Sequence, residues 1–352
     1  MMFDSTRPFG TEIELNALDG RDSPEVDGKL PEGIDHVGNL VAQYTKSYIE
    51  IRKWGPTHHN SFWVVKPDGS CGMEVCSPVL RGIRGIRHVC GVIGRLAEDP
   101  LIEADDRCSF HVHAGVEDLS GESIGTILAW WVKCEATLLA AMPNRRKMNR
   151  YCRQAGLTDY FAHDRDIDPY GLISFMGGSK YWTANTFHLV AGRRKAMEFR
   201  IMDEKACLDP EGAFNWVVLC LHFMERAICR GWPRPYQDGD PWSSFLWLDP
   251  DDVWRFLGFD GRVRLCPVLS RVREWLALRW WSNQSDGMGG PWSCEARSAA
   301  LGQAARIVKS VLEVRHGSEA GVEPGLRRDA GRDRPPDERP GEGVGPLHGA
   351  AG

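Results

Sequence analysis

Three short stretches of this chain alternate charged or imidazole side chains with apolar ones: Glu12-Ile13-Glu14, His111-Val112-His113 and Glu198-Phe199-Arg200. An extended backbone sends successive side chains to opposite faces, so each triplet places its two polar members on one face and its apolar member on the other. Side by side, three such strands make a sheet whose polar face carries three carboxylates, two imidazoles and a guanidinium. That combination outlines a metal and phosphate site.

The alternation continues beyond the triplets. Residues 9–16 read as the first strand, with Gly10, Glu12, Glu14 and Asn16 on one face. Residues 61–66 and 72–78 read as strands joined by the turn Pro67-Asp68-Gly69-Ser70. In the second of them Glu74 and Cys76 share a face, which adds a fourth carboxylate. The histidine strand spans 110–116, and residues 182–190 and 196–202 read as an antiparallel pair joined by a basic turn. Apolar residues at helical spacing predict helices over 83–96, 120–142, 214–230, 268–281 and 296–314. Residues 19–38 and 161–179 read as loops that wall the site, and Trp232, Trp242, Trp247 and Trp254 as either substrate-facing or core.

At 352 residues with 42% apolar side chains, the chain is long enough to bury a full core. Its net charge of -5 removes any global electrostatic reason to expect nucleic acid as a partner, although a local set of cations can still hold a small anion. The eleven cysteines are scattered without a CxxC pair, which argues against structural zinc and a disulfide framework and for a reducing cytoplasm. No signal peptide and no membrane span are expected. Beyond His316 the composition shifts to Gly, Pro, Arg, Asp and Glu with little to bury, which predicts disorder. No solenoid period repeats along the chain.

Hard divalent cations such as Mg²⁺ take oxygen ligands, and Glu12, Glu14, Glu74 and Glu198 supply four carboxylates if their strands are neighbours. Carboxylates this close repel one another, and an ion between them is the usual way such a cluster stays ionised. Taken singly, each glutamate is equally well an ordinary solvated sheet residue. His111 and His113 form an HxH pair that occurs on zinc sites, nuclease sites and inert strands alike. Arg200 shares a face with Glu198, where it either grips a phosphoryl or carboxylate oxygen or neutralises its neighbours. The basic run Arg145, Arg146, Lys147 and Arg150 is either a contact for a substrate carboxylate or a solvated helix end.

In order along the chain, Phe9-Gly10-Thr11-Glu12-Ile13-Glu14, Trp63-Val64-Val65-Lys66-Pro67-Asp68-Gly69-Ser70 and Met73-Glu74-Val75-Cys76-Ser77-Pro78-Val79-Leu80 resemble the amidoligase family, a branch of the carboxylate-amine ligases. Phe110-His111-Val112-His113, Arg146-Lys147-Met148-Asn149-Arg150-Tyr151-Cys152, Asn185-Thr186 and Glu198-Phe199-Arg200 continue the match, so that it covers residues 9 to 230. The resemblance implies an α+β fold: an antiparallel, saddle-like sheet with helices on its convex side, of the glutamine synthetase and glutamate-cysteine ligase type, followed by C-terminal helices. It divides the chain into a catalytic domain at 1–260, a helical extension at 261–316 and a disordered tail at 317–352. It also implies two or three Mg²⁺ ions, or Mn²⁺, held by Glu12, Glu14, Glu74, His111 and Glu198, with His113, Arg200 and Glu12 at the ATP phosphates. Asp68, Ser70, Arg146, Asn149 and Asn185 are its candidates for substrate binding, and Asp68 with Glu198 and Arg200 for catalysis. Where relatives often carry Gly before the HxH strand, this chain has Cys108-Ser109-Phe110, a bulkier approach expected to narrow the pocket.

The expected reaction is ATP-dependent amide formation through an acyl phosphate, between small-molecule or peptide acids and amines. The chain shows no Ser-His-Asp elbow and no evident Cys-His pair, so covalent acyl catalysis by the protein is not expected. An ATP-dependent phosphotransferase of similar fold, a metal-dependent hydrolase and an inactive scaffold are the alternatives.

Overall fold

The computed structural model describes residues 3, 6–16, 33–52, 61–147, 149–155, 167–233, 248–283, 306 and 309. Chain contacts separate Met1–Val311 from Leu312–Gly352, and every described residue lies in the first unit. The expected helix at 296–314, apart from Arg306 and Lys309, and the expected tail at 317–352 fall outside the described residues, as do Trp242, Trp247 and residues 19–32.

Among the described residues, seven strands form one sheet: β1 (Phe9–Asn16), β2 (Ile49–Ile51), β3 (Trp63–Asp68), β4 (Gly72–Cys76), β5 (Phe110–Gly115), β6 (Ala184–Asn185) and β7 (Ala196–Phe199). Their order is β2-β3-β4-β1-β5-β7-β6, so the three triplet-bearing strands are contiguous, as the alternation requires. All pairs are antiparallel except β2 with β3, which makes the sheet mixed where an antiparallel one was expected. The α+β class holds.

The helices are α1 (Ile34–Thr45), α2 (Gly82–Ala97), α3 (Gly121–Ala140), α4 (Asn144–Lys147), α5 (Pro169–Gly177), α6 (Phe187–Val190), α7 (Lys205–Leu208), α8 (Pro210–Arg230), α9 (Pro250–Leu257) and α10 (Pro267–Ser282). Three of them begin the same way. Asp168, Asp209 and Asp249 each accept a backbone N–H of the first turn, and a proline follows at the position where a missing N–H costs nothing. Among the described residues no helix is long and apolar enough to cross a membrane.

The second face of the sheet is the core. Ile13, Leu15, Met73, Val75, Phe110, Val112, Met197 and Phe199 are all buried, as alternation out of phase with the carboxylates demands. Trp131 of α3 packs on Phe199 of β7 with ring centroids 4.8 Å apart and on Phe223 of α8 at 5.1 Å. Trp254 of α9 is buried, so it belongs to the core rather than to substrate.

Two expected elements differ. Residues 33–38 were expected as loop, but Ile34, Val37, Leu40 and Val41 line one buried face of α1. Residues 182–190 were expected as strand, but only Ala184–Asn185 pairs with β7. The Asn185 side chain accepts the Phe187 N–H at 3.1 Å, a local turn that diverts the chain into α6.

Helices α3 and α5 approach so closely that a Cβ on Gly125 would lie 2.5 Å from Pro169 Cα and 2.6 Å from its carbonyl oxygen. Gly125→Ala gains about 1 kcal/mol of helix propensity. Overpacking costs about 1–3 kcal/mol, at the upper end where backbone must move. Net destabilisation is therefore expected as a lower denaturant midpoint, and an unchanged midpoint would show that the contact yields freely.

Candidate active site: a buried carboxylate face between two cavities

Strand register brings the polar residues into rows. Lys66 lies opposite Glu74, and Glu74 opposite Glu14. Glu12 lies opposite His111 in the next row, and Gly10, His113, Glu198 and Asn185 form a third. Glu12, Glu14, Glu74 and Glu198 are between 3% and 6% exposed, so four carboxylates share one dry surface.

Each has a compensating neighbour. His113 Nε2 is 2.9 Å from Glu12 Oε1, and His111 Nδ1 is 3.1 Å from Glu12 Oε2. His111 also lies 3.6 Å from Glu14 Oε1 through Nε2, and 3.4 Å from Glu198 Oε1 through Nδ1. Lys66 pairs with Glu74, and Arg200 donates to Glu198. Asn185 Nδ2 donates to Glu198 Oε2 at 3.1 Å, and Arg194 Nη1 stands 3.5 Å from Glu12 Oε1.

The environments push these acids apart. Burial raises the Glu198 carboxyl, but the Arg200 guanidinium and the two imidazoles outweigh it and hold Glu198 down at about 2. Burial and the charge of Glu12 push Glu74 up to about 8 against the pull of Lys66. Burial also raises Glu14, against the pull of His111. Asp68 is held below its ordinary value despite burial, because the Ser70 hydroxyl and N–H both donate to it.

Among the described residues, two groups offer ligand atoms within 4.8 Å of one another: Glu12, His113 and Glu198, and Glu14, Asp68 and Cys71. Carboxylate oxygens dominate both, which suits a hard divalent ion, and a cation there would act against the burial and the Glu12 charge that raise Glu74. His111 sits among Glu12, Glu14 and Glu198, while the first grouping takes His113. The Cys71 thiol is the one donor here better matched to a softer metal.

A cavity of about 570 Å³ opens on this face, with the four glutamates, His111 and Arg200 along it and Asp68, Ser70, Tyr151, Lys180, Tyr181, Phe187, His188 and Arg193 around it. A second cavity of about 590 Å³ is lined by Gly10 and His113 together with Arg81, Arg193, Arg194 and Lys195. One cavity is thus acidic at its base and the other rich in cations.

Of the sequence candidates, Asp68 and Ser70 reach the first cavity, and Asn185 stands behind it on Glu198. Arg146 does not line either cavity. It is buried and donates to the Arg200 carbonyl at 2.5 Å, steadying that residue from behind. Asn149 accepts the Tyr151 N–H at 2.7 Å and shapes the turn that carries Tyr151. Sequence reasoning took Ser109 only as part of a bulkier approach to the HxH strand and not as a partner of the site, where its hydroxyl donates to Glu14 at 2.7 Å and lies 2.6 Å from His111 Nε2. Its signal was present: Ser109, His111 and His113 follow the same alternation. Lys66 and Arg194 were also missed as partners of the carboxylates.

A family model described as "Putative amidoligase enzyme" matches residues 6–168, which bears out the resemblance read from the sequence. The match contains Glu12, Glu14, Glu74, His111 and His113, while Asn185, Glu198 and Arg200 follow it. No curated protein matches the chain. Among solved structures, a bifunctional glutathione synthetase from Pasteurella multocida is similar over 88% of this chain and 49% of its own, at 9% identity and a TM-score of 0.34. The chain thus spans about half the length of that protein, and a likeness this distant says nothing about the chemistry.

The raised Glu74 carboxyl sets a pH dependence for the metal-free protein. Between about pH 4.5 and 8 the folded state keeps this proton and the unfolded state has lost it, so stability falls as pH rises through that window. Melting temperature against pH, compared with Glu74→Gln, is the measurement. Glu74→Gln should flatten the decline, and an identical slope in both proteins would mean that Glu74 is ionised throughout.

Proposed function

We propose that this protein is an ATP-dependent carboxylate-amine ligase that forms an amide through an acyl phosphate. The family match and the candidate metal groups support ligase-type catalysis. The observation that carries the finer reading is the buried carboxylate face with Arg200, which lines one cavity, beside a cation-rich cavity that shares Arg193 with it. An acid and a triphosphate repel each other in water, and a site that joins them must neutralise both.

Glu12, Glu14, Glu74, His111 and Glu198 would hold two or three Mg²⁺ ions, or Mn²⁺, which when bound neutralise phosphate charge and polarise the terminal phosphoryl group. The cation-rich cavity, which His113 and Arg194 line, receives the ATP phosphates. The acidic cavity receives the acid and the amine. A carboxylate oxygen of the acid attacks the terminal phosphorus as the bond to ADP breaks, and Arg200 steadies the transferring group. Arg200 is aimed by two contacts, its guanidinium on Glu198 and its carbonyl on Arg146. The amine nitrogen then attacks the acyl carbon, and phosphate leaves with the electrons of the broken C–O bond.

The amine must shed a proton for that attack. Asp68, kept ionised by Ser70 and facing the same cavity, is assigned to receive it. In this reading the sheet is of the glutamine synthetase type, residues 1–260 carry catalysis, 261–316 form a helical extension and 317–352 a tail. The protein works where ATP and Mg²⁺ are supplied, in the cytoplasm.

ADP release that requires Mg²⁺, an acid and an amine together is the expected activity, with an amide as product. Glu198→Ala should lower it about 100-fold or more. A phosphorylated end product would make the enzyme a phosphotransferase. Absence of Mg²⁺-dependent nucleotide binding would overturn both readings.

A further inference from the structure

We infer that Lys180 and Arg193, at the mouth of the acidic cavity, bind a second anionic group on the substrate, a carboxylate remote from the one that reacts. The inference rests on the ligase reading and narrows its substrate class to dicarboxylates.

The cations of this cavity fall into two kinds. Lys66 and Arg200, at its base, are each paired with a glutamate. Lys180 and Arg193 line the same cavity, Arg193 standing also on the wall of the cation-rich one, and neither has a carboxylate partner among the described residues. Each instead lies over an aromatic ring of the wall: Lys180 Nζ is 5.2 Å from the centre of Tyr181, and the Arg193 guanidinium carbon is 5.9 Å from that of Phe187. A ring face holds a cation in place without neutralising it.

The backbone also fixes where they stand. Asn185, while donating to Glu198, donates to the Lys180 carbonyl at 3.2 Å. The Arg193 and Arg194 N–H groups donate to the His188 carbonyl at 2.8 and 3.1 Å, after Gly192 turns the chain at a φ of 66°. His188 lies along the same wall, and its buried Nδ1 has no hydrogen-bond partner among the described residues.

The basic run at 145–150 offered the other cations for such a role, and its side chains are engaged elsewhere. Arg145 pairs with Glu204, and Arg146 holds the Arg200 carbonyl. Lys147 donates to Asn144 and to the Asn283 carbonyl, and Arg150 to the Tyr151 hydroxyl. The two charges left at the cavity mouth suit a carboxylate, which accepts charge-assisted hydrogen bonds from both. Tyr181 and Phe187 would then flank the carbon chain joining the substrate's two ends.

The test is calorimetric binding of the dicarboxylates from succinate to suberate, and of their monoamides, to the full chain, with and without Mg²⁺ and ADP. At least one dicarboxylate should bind about tenfold more tightly than its monoamide, the equivalent of one charge-assisted contact. K180M, which lines the acidic cavity alone, should lose that preference with ADP affinity unchanged, whereas K180R should keep it; R193M, at a wall shared with the cation-rich cavity, should lose the preference whatever its effect on ADP. Both positions are exposed, so folding is expected to survive, and a melt checks it; the single variants K180Q and R193Q carry the test if it does not. Equal or undetectable binding of acid and amide overturns the inference, as does a preference that persists in the variants. Loss of ADP binding in K180M overturns it too, by placing that cation on the nucleotide. Failure of the ligase reading has a separate signature, the absence of Mg²⁺-dependent ADP binding in the parent chain.

Discussion

Four carboxylates on one dry sheet face are the arrangement around which the rest of this structure is organised. Removing one such charge from water costs several kcal/mol even after relaxation, and neighbouring charges of the same sign add to the cost. The fold meets it with oppositely charged and hydrogen-bonding groups drawn from separate elements: Lys66 from β3, His111 and His113 from β5, Ser109 just before β5, Asn185 from β6, and Arg194 and Arg200 on either side of β7. None of these is close in sequence to Glu12 or Glu14, so the face exists only when the whole sheet is assembled. The apolar side of the same strands supplies the driving force for that assembly, through Ile13, Val75, Val112 and Phe199 packed beneath the helices.

Period-two alternation made the central strands legible, because chemistry and geometry coincide there. Every glutamate and histidine read from the triplets lies on the common face, and so does Glu74. Elements whose identity depends on what they pack against were harder. In α1 the polar Asp35, His36, Asn39 and Gln43 intervene between Ile34, Val37, Leu40 and Val41, and it is burial of these apolar residues along one face that makes the segment a helix. The starts of α5 and α9 were written in Asp-Pro pairs that cap and initiate a helix, a signal weaker by eye than hydrophobic periodicity.

The basic run shows the limit of reading charge from sequence. Arg145, Arg146, Lys147 and Arg150 stand out as a cluster, yet they brace the protein against itself. The cations that line the cavities are a second short run, Arg193, Arg194 and Lys195, together with Lys66, Arg81, Lys180 and Arg200 from elsewhere in the chain, and nothing in the sequence of the two runs says which of them faces a cavity. A run of like charge is conspicuous because it is local, whereas a binding surface is defined by what the fold brings together.

The two-residue length of β6 has a bearing on solubility. This strand is one of the two outer edges of the sheet, where unpaired backbone groups invite a strand from another molecule. Two residues leave almost no edge to pair with, and the Asn185 turn then closes it by folding the chain into α6. That same turn delivers Phe187 and His188 to the cavity wall. Extending β6 into a longer strand would therefore open the molecule to edge-to-edge association and strip the cavity of a side in a single change.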